Sequence, residues 1–174
     1  MIEPLEGWPH SMIPFFKPNL IEYSDKVMRA VDYGNAGPGI LDEILCEKLN
    51  GYIGNGNSHI LLTSSGTMAL WIAFIIMHEN GMTHAICPAY GAIQTANAAH
   101  FAGLKVLFRN INPDGCISLP VFDYPENAVT VFVDFSGNVP ERFINLNYDN
   151  NLIEDAACAI GNSKACLLGR FSIL

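Results

Sequence analysis

Short, nearly unbroken apolar runs recur along this chain, separated by stretches with helical spacing. Residues 59–62, 84–87, 105–108, 128–132 and 151–154 each read as a strand. Residues 67–78 and 92–102 between them read as helices, and Ile40, Leu41, Ile44, Leu45, Leu49, Tyr52 and Ile53 repeat at helical spacing across residues 39–53. Strands apolar on both faces need cover on both faces, which the crossover helices between parallel neighbours supply. The expected fold class is therefore α/β, a doubly wound, mostly parallel sheet with helices on both faces. Residues 1–33, rich in proline and aromatics with one expected helix at 24–31, read as an N-terminal arm, and residues 34–174 as the domain.

The first expected strand runs into Leu61-Leu62-Thr63-Ser64-Ser65-Gly66-Thr67-Met68-Ala69-Leu70. Here an apolar run stops at hydroxyl residues and one glycine, and an apolar helix follows at once. The unpaired N–H groups and positive dipole end of such a helix attract an anion, and Gly66 lets backbone approach a phosphate closely. The plainer role of the same residues is capping, the commonest use of Ser and Thr before an apolar helix. Three further polar clusters fall at expected strand ends: Pro88-Ala89-Tyr90, Asp134-Phe135-Ser136-Gly137-Asn138 and Glu154-Asp155. In open α/β sheets, ligands bind beyond the carboxyl ends of the strands.

Asp155 leaves an apolar strand just before Ala156-Ala157, so its carboxylate is expected to be partly desolvated and to need a cationic or hydrogen-bonding partner. Its plainer role is to cap a following helix. An anion cradle after one strand and a carboxylate after a later one together match what pyridoxal 5'-phosphate requires. The phosphate takes the helix start, and the aspartate keeps the pyridinium nitrogen protonated.

Half of the 174 residues are hydrophobic and mean hydropathy is +0.24, enough for one domain with a sizeable core. Only 15% are charged, which points to surface covered by a partner or by further chain. A net charge of −8 argues against nucleic-acid backbones as partners. The acidic start, Met1 to Glu6, lacks the basic-then-apolar order of a signal peptide, and the apolar run 68–77 is far short of the ~20 residues a membrane span needs. A cytoplasmic protein without membrane contact is expected. The five cysteines are odd in number, widely spaced and without a CxxC pair, so reduced, mostly buried thiols and no metal are expected.

The ordered series Met12-Ile13-Pro14 with Pro18, Gly37-Pro38-Gly39, Ser64-Ser65-Gly66-Thr67-Met68-Ala69-Leu70, Cys87-Pro88-Ala89-Tyr90 with Thr95-Ala96-Asn97-Ala98, Val133-Asp134-Phe135-Ser136-Gly137-Asn138, Ile153-Glu154-Asp155-Ala156-Ala157 and Phe171-Ser172 spans most of the chain. It resembles the pyridoxal-phosphate-dependent sugar aminotransferases of the DegT/DnrJ/StrS type, which have the fold-type I aminotransferase fold. The resemblance implies that Ser65, Gly66, Thr67 and the hydroxyl of Ser172 hold the cofactor phosphate and that Asp155 pairs with the pyridine nitrogen. It implies transfer of an amino group from an amino-acid donor, usually glutamate, to a keto nucleotide-sugar. That reaction serves surface-polysaccharide or amino-sugar biosynthesis, and the family generally works as a homodimer with its sites at the subunit interface.

Several positions depart from the family pattern. Ala92 stands where an aromatic ring usually stacks on the cofactor, with Tyr90 nearby as a substitute. Cys158 replaces a glutamine, Asp134 a histidine, and the span from Asp155 to Phe171 is short. The Schiff-base lysine is expected a few residues after the segment matching Phe171-Ser172. Lys164, the only lysine beyond Asp155, precedes it. No catalytic residue is therefore assigned. The resemblance covers an incomplete large domain without the small C-terminal domain, and the isolated chain is expected not to transaminate. Two alternatives stand beside the enzyme: a non-catalytic binding or assembly protein on the same half-fold, and a nucleotide-sugar binder without the cofactor. A missing strand is also expected to leave the first strand without its neighbour and an apolar sheet edge exposed.

Overall fold

The computed structural model describes residues 39–53, 58–118, 124–139, 151–167 and 169–174. The arm and its expected helix lie outside them. The chain divides into two compact units, Met1–Ile44 and Leu45–Leu174. Of the first, the described residues are Gly39 and the opening of helix α1 (Ile40–Tyr52), a helix in which no residue is buried. The second unit carries helices α2 (Gly66–Glu79) and α3 (Ile93–Phe101) and five strands: β1 (His84–Pro88), β2 (Lys105–Arg109), β3 (Ala128–Val133), β4 (Leu152–Asp155) and β5 (Phe171–Ile173).

All four ladders are parallel, and the strand order is β2-β1-β3-β4-β5. The chain runs outward from β1 to β2 and then returns to the other side of β1. The order therefore reverses between β1 and β3, whose carboxyl ends flank a crevice. Pro88 closes β1 opposite Arg109, past the point where the β1–β3 ladder ends at Ile86 and Thr130. A proline fits there because its missing N–H is no longer needed by the neighbour.

Leu70, Ala73, Phe74 and Met77 of α2 and Ala98 and Ala99 of α3 pack on one face of the sheet, against Ala85, Cys87, Val129, Val131, Ile153 and Ile173. The alternate residues Ile86, Phe132 and Leu152 point the other way. Among the described residues, their cover comes from Tyr124 and from Cys116 and Ile117, the last two on a short excursion closed by an antiparallel bridge between Ile111 and Ile117. The α/β class and the parallel sheet are as expected.

Two local assignments change. Residues 59–62, expected as the first strand, form no ladder, and Leu61 is 72% exposed. A strand exists only through a neighbour's hydrogen bonds, and no described strand borders this segment. Residues 171–173 instead form β5, whose backbone pairs with 153–155. Three residues are too few to show a period in sequence.

Candidate active site at the carboxyl edge of the sheet

Ser65 ends the extended segment before α2 with φ −167° and ψ 159°, and its Oγ accepts the Met68 N–H at 3.2 Å. The capping reading therefore holds for Ser65. With that donor satisfied, Gly66 and Thr67 carry the outward N–H groups of the first turn. A Cβ on Gly66 would lie 3.9 Å from Ile173 Cγ2. Ile173 in turn sits opposite Asp155 in the β4–β5 register. The start of α2, the end of β5 and the end of β4 thus lie side by side, and the structure brings Gly66, Thr67 and Asp155 to one edge.

Asp155 is 7% exposed and shares with Ile153 the face that α2 and α3 cover. Its Oδ2 accepts the Thr95 hydroxyl at 3.3 Å and its Oδ1 the Ala157 N–H at 3.3 Å. Burial raises the Asp155 pKa, and the bonds from Ala157 and Thr95 oppose the rise. The Ala157 bond closes a turn, and no helix follows, so Asp155 is not the helix cap that the plainer reading expected.

Tyr90, exposed just past β1, packs its ring 5.2 Å from that of Phe135, tilted by 54°. Beside it a cavity of about 240 Å³ opens at the carboxyl ends of β1–β3, lined by Cys87, Pro88, Ala92, Thr95, Phe108 and Val133. Ala92 precedes α3 without capping it and leaves this space open. Cys158 is exposed in the turn after Asp155. That turn packs on Gly137, where φ is +81° and a Cβ would meet the Cys158 carbonyl at 3.0 Å. Of the other thiols, Cys87 and Cys116 are buried and Cys46 and Cys166 half-buried. Burial pushes the Cys87 thiol up to about 12.

Ser172 does not join Gly66 and Thr67. Its neighbours Phe171 and Ile173 pack on the α2/α3 face, so alternation sends Ser172 to the opposite face. There its hydroxyl donates to Glu154 Oε2 at 3.1 Å. The resemblance grouped Ser172 with Gly66 and Thr67, whereas the structure puts its hydroxyl on the other side of the sheet.

The same opposite face holds a cluster the sequence did not reveal. Glu154 is fully buried, and its Oε1 accepts the Cys166 N–H at 2.8 Å. Asp134 is 1% exposed, and no N–H or alcohol hydroxyl among the described residues donates to its carboxyl oxygens. Its neighbour is the Glu154 carboxyl, and two carboxyls hydrogen-bond only when one holds a proton. Burial, then the charge of Glu154, a hydrogen bond with it and the charge of Asp155 push the Asp134 carboxyl up to about 8. Strand alternation across Ile153-Glu154-Asp155 was the available signal that the two acids part to opposite faces.

A parallel α/β sheet with a buried aspartate and a helix start at its carboxyl edge defines a fold-type I aminotransferase-like large domain. Residues 22–166 match the DegT/DnrJ/EryC1/StrS aminotransferase family, and the chain belongs to it. Solved structures share the fold. NtdA from Bacillus subtilis, with bound cofactor PMP, superposes with a TM-score of 0.70 and 23% identity over 90% of this chain and 39% of its own. PseC from Helicobacter pylori, an aminotransferase involved in the biosynthesis of pseudoaminic acid, gives 0.65 and 21% over 79% and 39%. The sugar aminotransferase CalS13 from Micromonospora echinospora gives 0.66 and 18% over 81% and 42%. The chain spans about two fifths of the length of these structures. No curated protein matches the sequence. No described helix is long and apolar enough to cross a membrane, and no described group of three or more His, Cys, Asp or Glu could hold a metal.

Proposed function

We propose that this chain forms the cofactor-facing edge of a pyridoxal-phosphate-dependent aminotransferase acting on keto nucleotide-sugars, with glutamate as amino donor. Asp155 carries the reading. It is a buried carboxylate at the carboxyl edge whose two bonds come from neutral donors, the Thr95 hydroxyl and the Ala157 N–H. A cation placed there offsets the burial that raises its pKa, and a protonated pyridine nitrogen is such a cation. The residues fit the cofactor at both ends. Asp155 holds the ring nitrogen's proton, and the Gly66 and Thr67 N–H groups at the start of α2 receive the phosphate. Tyr90, beside the cavity that Ala92 leaves open, covers a ring face. Cys158 stands in the turn beyond Asp155, and Ser172 has no part on this face. Pyridoxal phosphate, when bound, supplies an electron sink for chemistry at the amino-bearing carbon.

The test reads binding rather than turnover. Titration with pyridoxamine phosphate, followed by calorimetry, should show saturable binding. Asp155→Ala should weaken it about tenfold or more, the loss of one charge-assisted hydrogen bond, and Ser172→Ala should leave it unchanged. Equal affinity in Asp155→Ala would remove the assignment. No binding by a folded chain would favour a non-catalytic assembly protein.

The proposal includes a homodimer in the cytoplasm. Phe101, Ile93 and Phe108 are exposed by 75%, 69% and 61%, apolar side chains that a second copy would cover. Light scattering over a concentration series should give a mass above 19.0 kDa. A mass that stays at the monomer value throughout would defeat the dimer.

A further inference from the structure

We propose that Thr95 is the positioning residue for Asp155, holding its carboxylate ionised and in one orientation at the carboxyl edge of the sheet. The inference deepens the reading of Asp155 as the partner of a cationic ring nitrogen and rests on it for its meaning, though not for its test.

Thr95 is the third residue of α3 and 3% exposed. Threonine is a weak helix former, and inside a helix its hydroxyl commonly turns back to the carbonyl four residues earlier. Here it reaches out of the helix to Asp155 Oδ2, sixty positions along the chain. The Ala157 N–H occupies Oδ1. With one donor on each oxygen, the carboxylate plane is held against both the helix and the following turn.

The local electrostatics favour the same arrangement. Helix α3 begins without a capping side chain and without an acidic residue in its first turn. Asp155 brings a carboxylate from β4 to that turn, where the helix dipole favours negative charge. Burial is what opposes ionisation of Asp155. Asp134 and Glu154 stand across the sheet as acids, and the Cys87 thiol on the same face is buried and neutral. Thr95 is thus one of two hydrogen bonds that favour the charged form. Its side chain also lines the cavity at the carboxyl edge, so the residue that orients Asp155 bounds the space where a ligand would sit.

The experiment follows the Asp155 side-chain carboxyl by carbon NMR across a pH titration of the chain without added ligand. Thr95→Val keeps the shape and removes the donor. Its Asp155 pKa is expected to rise by about one unit, the size of a single hydrogen bond to an ionised group. Thr95→Ser restores the donor and should bring the value back towards wild type. A Val variant that stays folded with an unshifted Asp155 pKa overturns the proposal. A folded Ser variant that behaves like Val also overturns it, because packing rather than the hydroxyl would then be responsible. In a second arm, Thr95→Val should bind pyridoxamine phosphate several-fold more weakly than wild type. If wild type itself does not bind, the cofactor reading fails while the titration still decides the role of Thr95.

Discussion

Replacing Asp134 with asparagine should stabilise this protein at alkaline pH and do little near pH 4. Asp134 is nearly fully buried beside Glu154, and its carboxyl is raised from 3.8 to about 8. In the unfolded chain the same group ionises near ~4. Between these values the folded state holds a proton that the unfolded state has released, so stability falls as pH climbs from about 4 to 8 and then levels off. Asparagine has no proton to lose and can donate its amide to Glu154. Shared across the coupled pair, the gain at pH 8 should be on the order of 3 kcal/mol. Urea titrations of both proteins at steps from pH 4 to 9 would show the two stabilities diverging with pH. Parallel curves would mean that the acids do not share a proton.

The second large effect is expected at Gly169, where the approach to β5 crosses the backbone of β4. A Cβ there would lie 2.5 Å from the Phe171 carbonyl and 2.9 Å from the Glu154 nitrogen. Both are main-chain atoms, so no side-chain rotation relieves the overlap. Gly169→Ala should cost about 3 kcal/mol or more, since the backbone itself must move. It should also loosen the pocket that buries Glu154. Gly51, in α1, has nothing within 4 Å of its Cβ position. Gly51→Ala should therefore be neutral or stabilising by up to ~1 kcal/mol. Urea midpoints of the two variants compare them directly. A Gly169→Ala midpoint at the wild-type value would rule out the close approach.

The elements that were legible from sequence have strong periods of their own. Helix α2 is apolar on every side and announced by Ser65, while β1, β3 and β4 are short runs buried on both faces. Residues 59–62 are as apolar as those runs and yet form no ladder. The difference lies in the neighbour and not in the residues. β5 shows the converse: residues 171–173 carry no readable period and become a strand because β4 is beside them.

The candidate site divides in the same way. Asp155 at a strand end and the Ser65-Gly66-Thr67 helix start were visible, because each is fixed by residues within a turn of itself. Their juxtaposition depends on Ile173 lying between them, more than a hundred residues after Gly66. The Thr95–Asp155 bond spans sixty residues, and the Asp134–Glu154 pair joins neighbouring strands through their register. Ser172 is the clearest case. Its hydroxyl was readable, but that hydroxyl's side of the sheet was set by alternation and pairing. Sequence alone determined the α/β class, the family pattern and the identity of the acids and hydroxyls, since those follow from local periodicity and residue chemistry. Only the tertiary structure decided which acid faces the helix starts and which is buried with a second acid. A one-residue step along a strand reverses the face, and the partners come from distant parts of the chain.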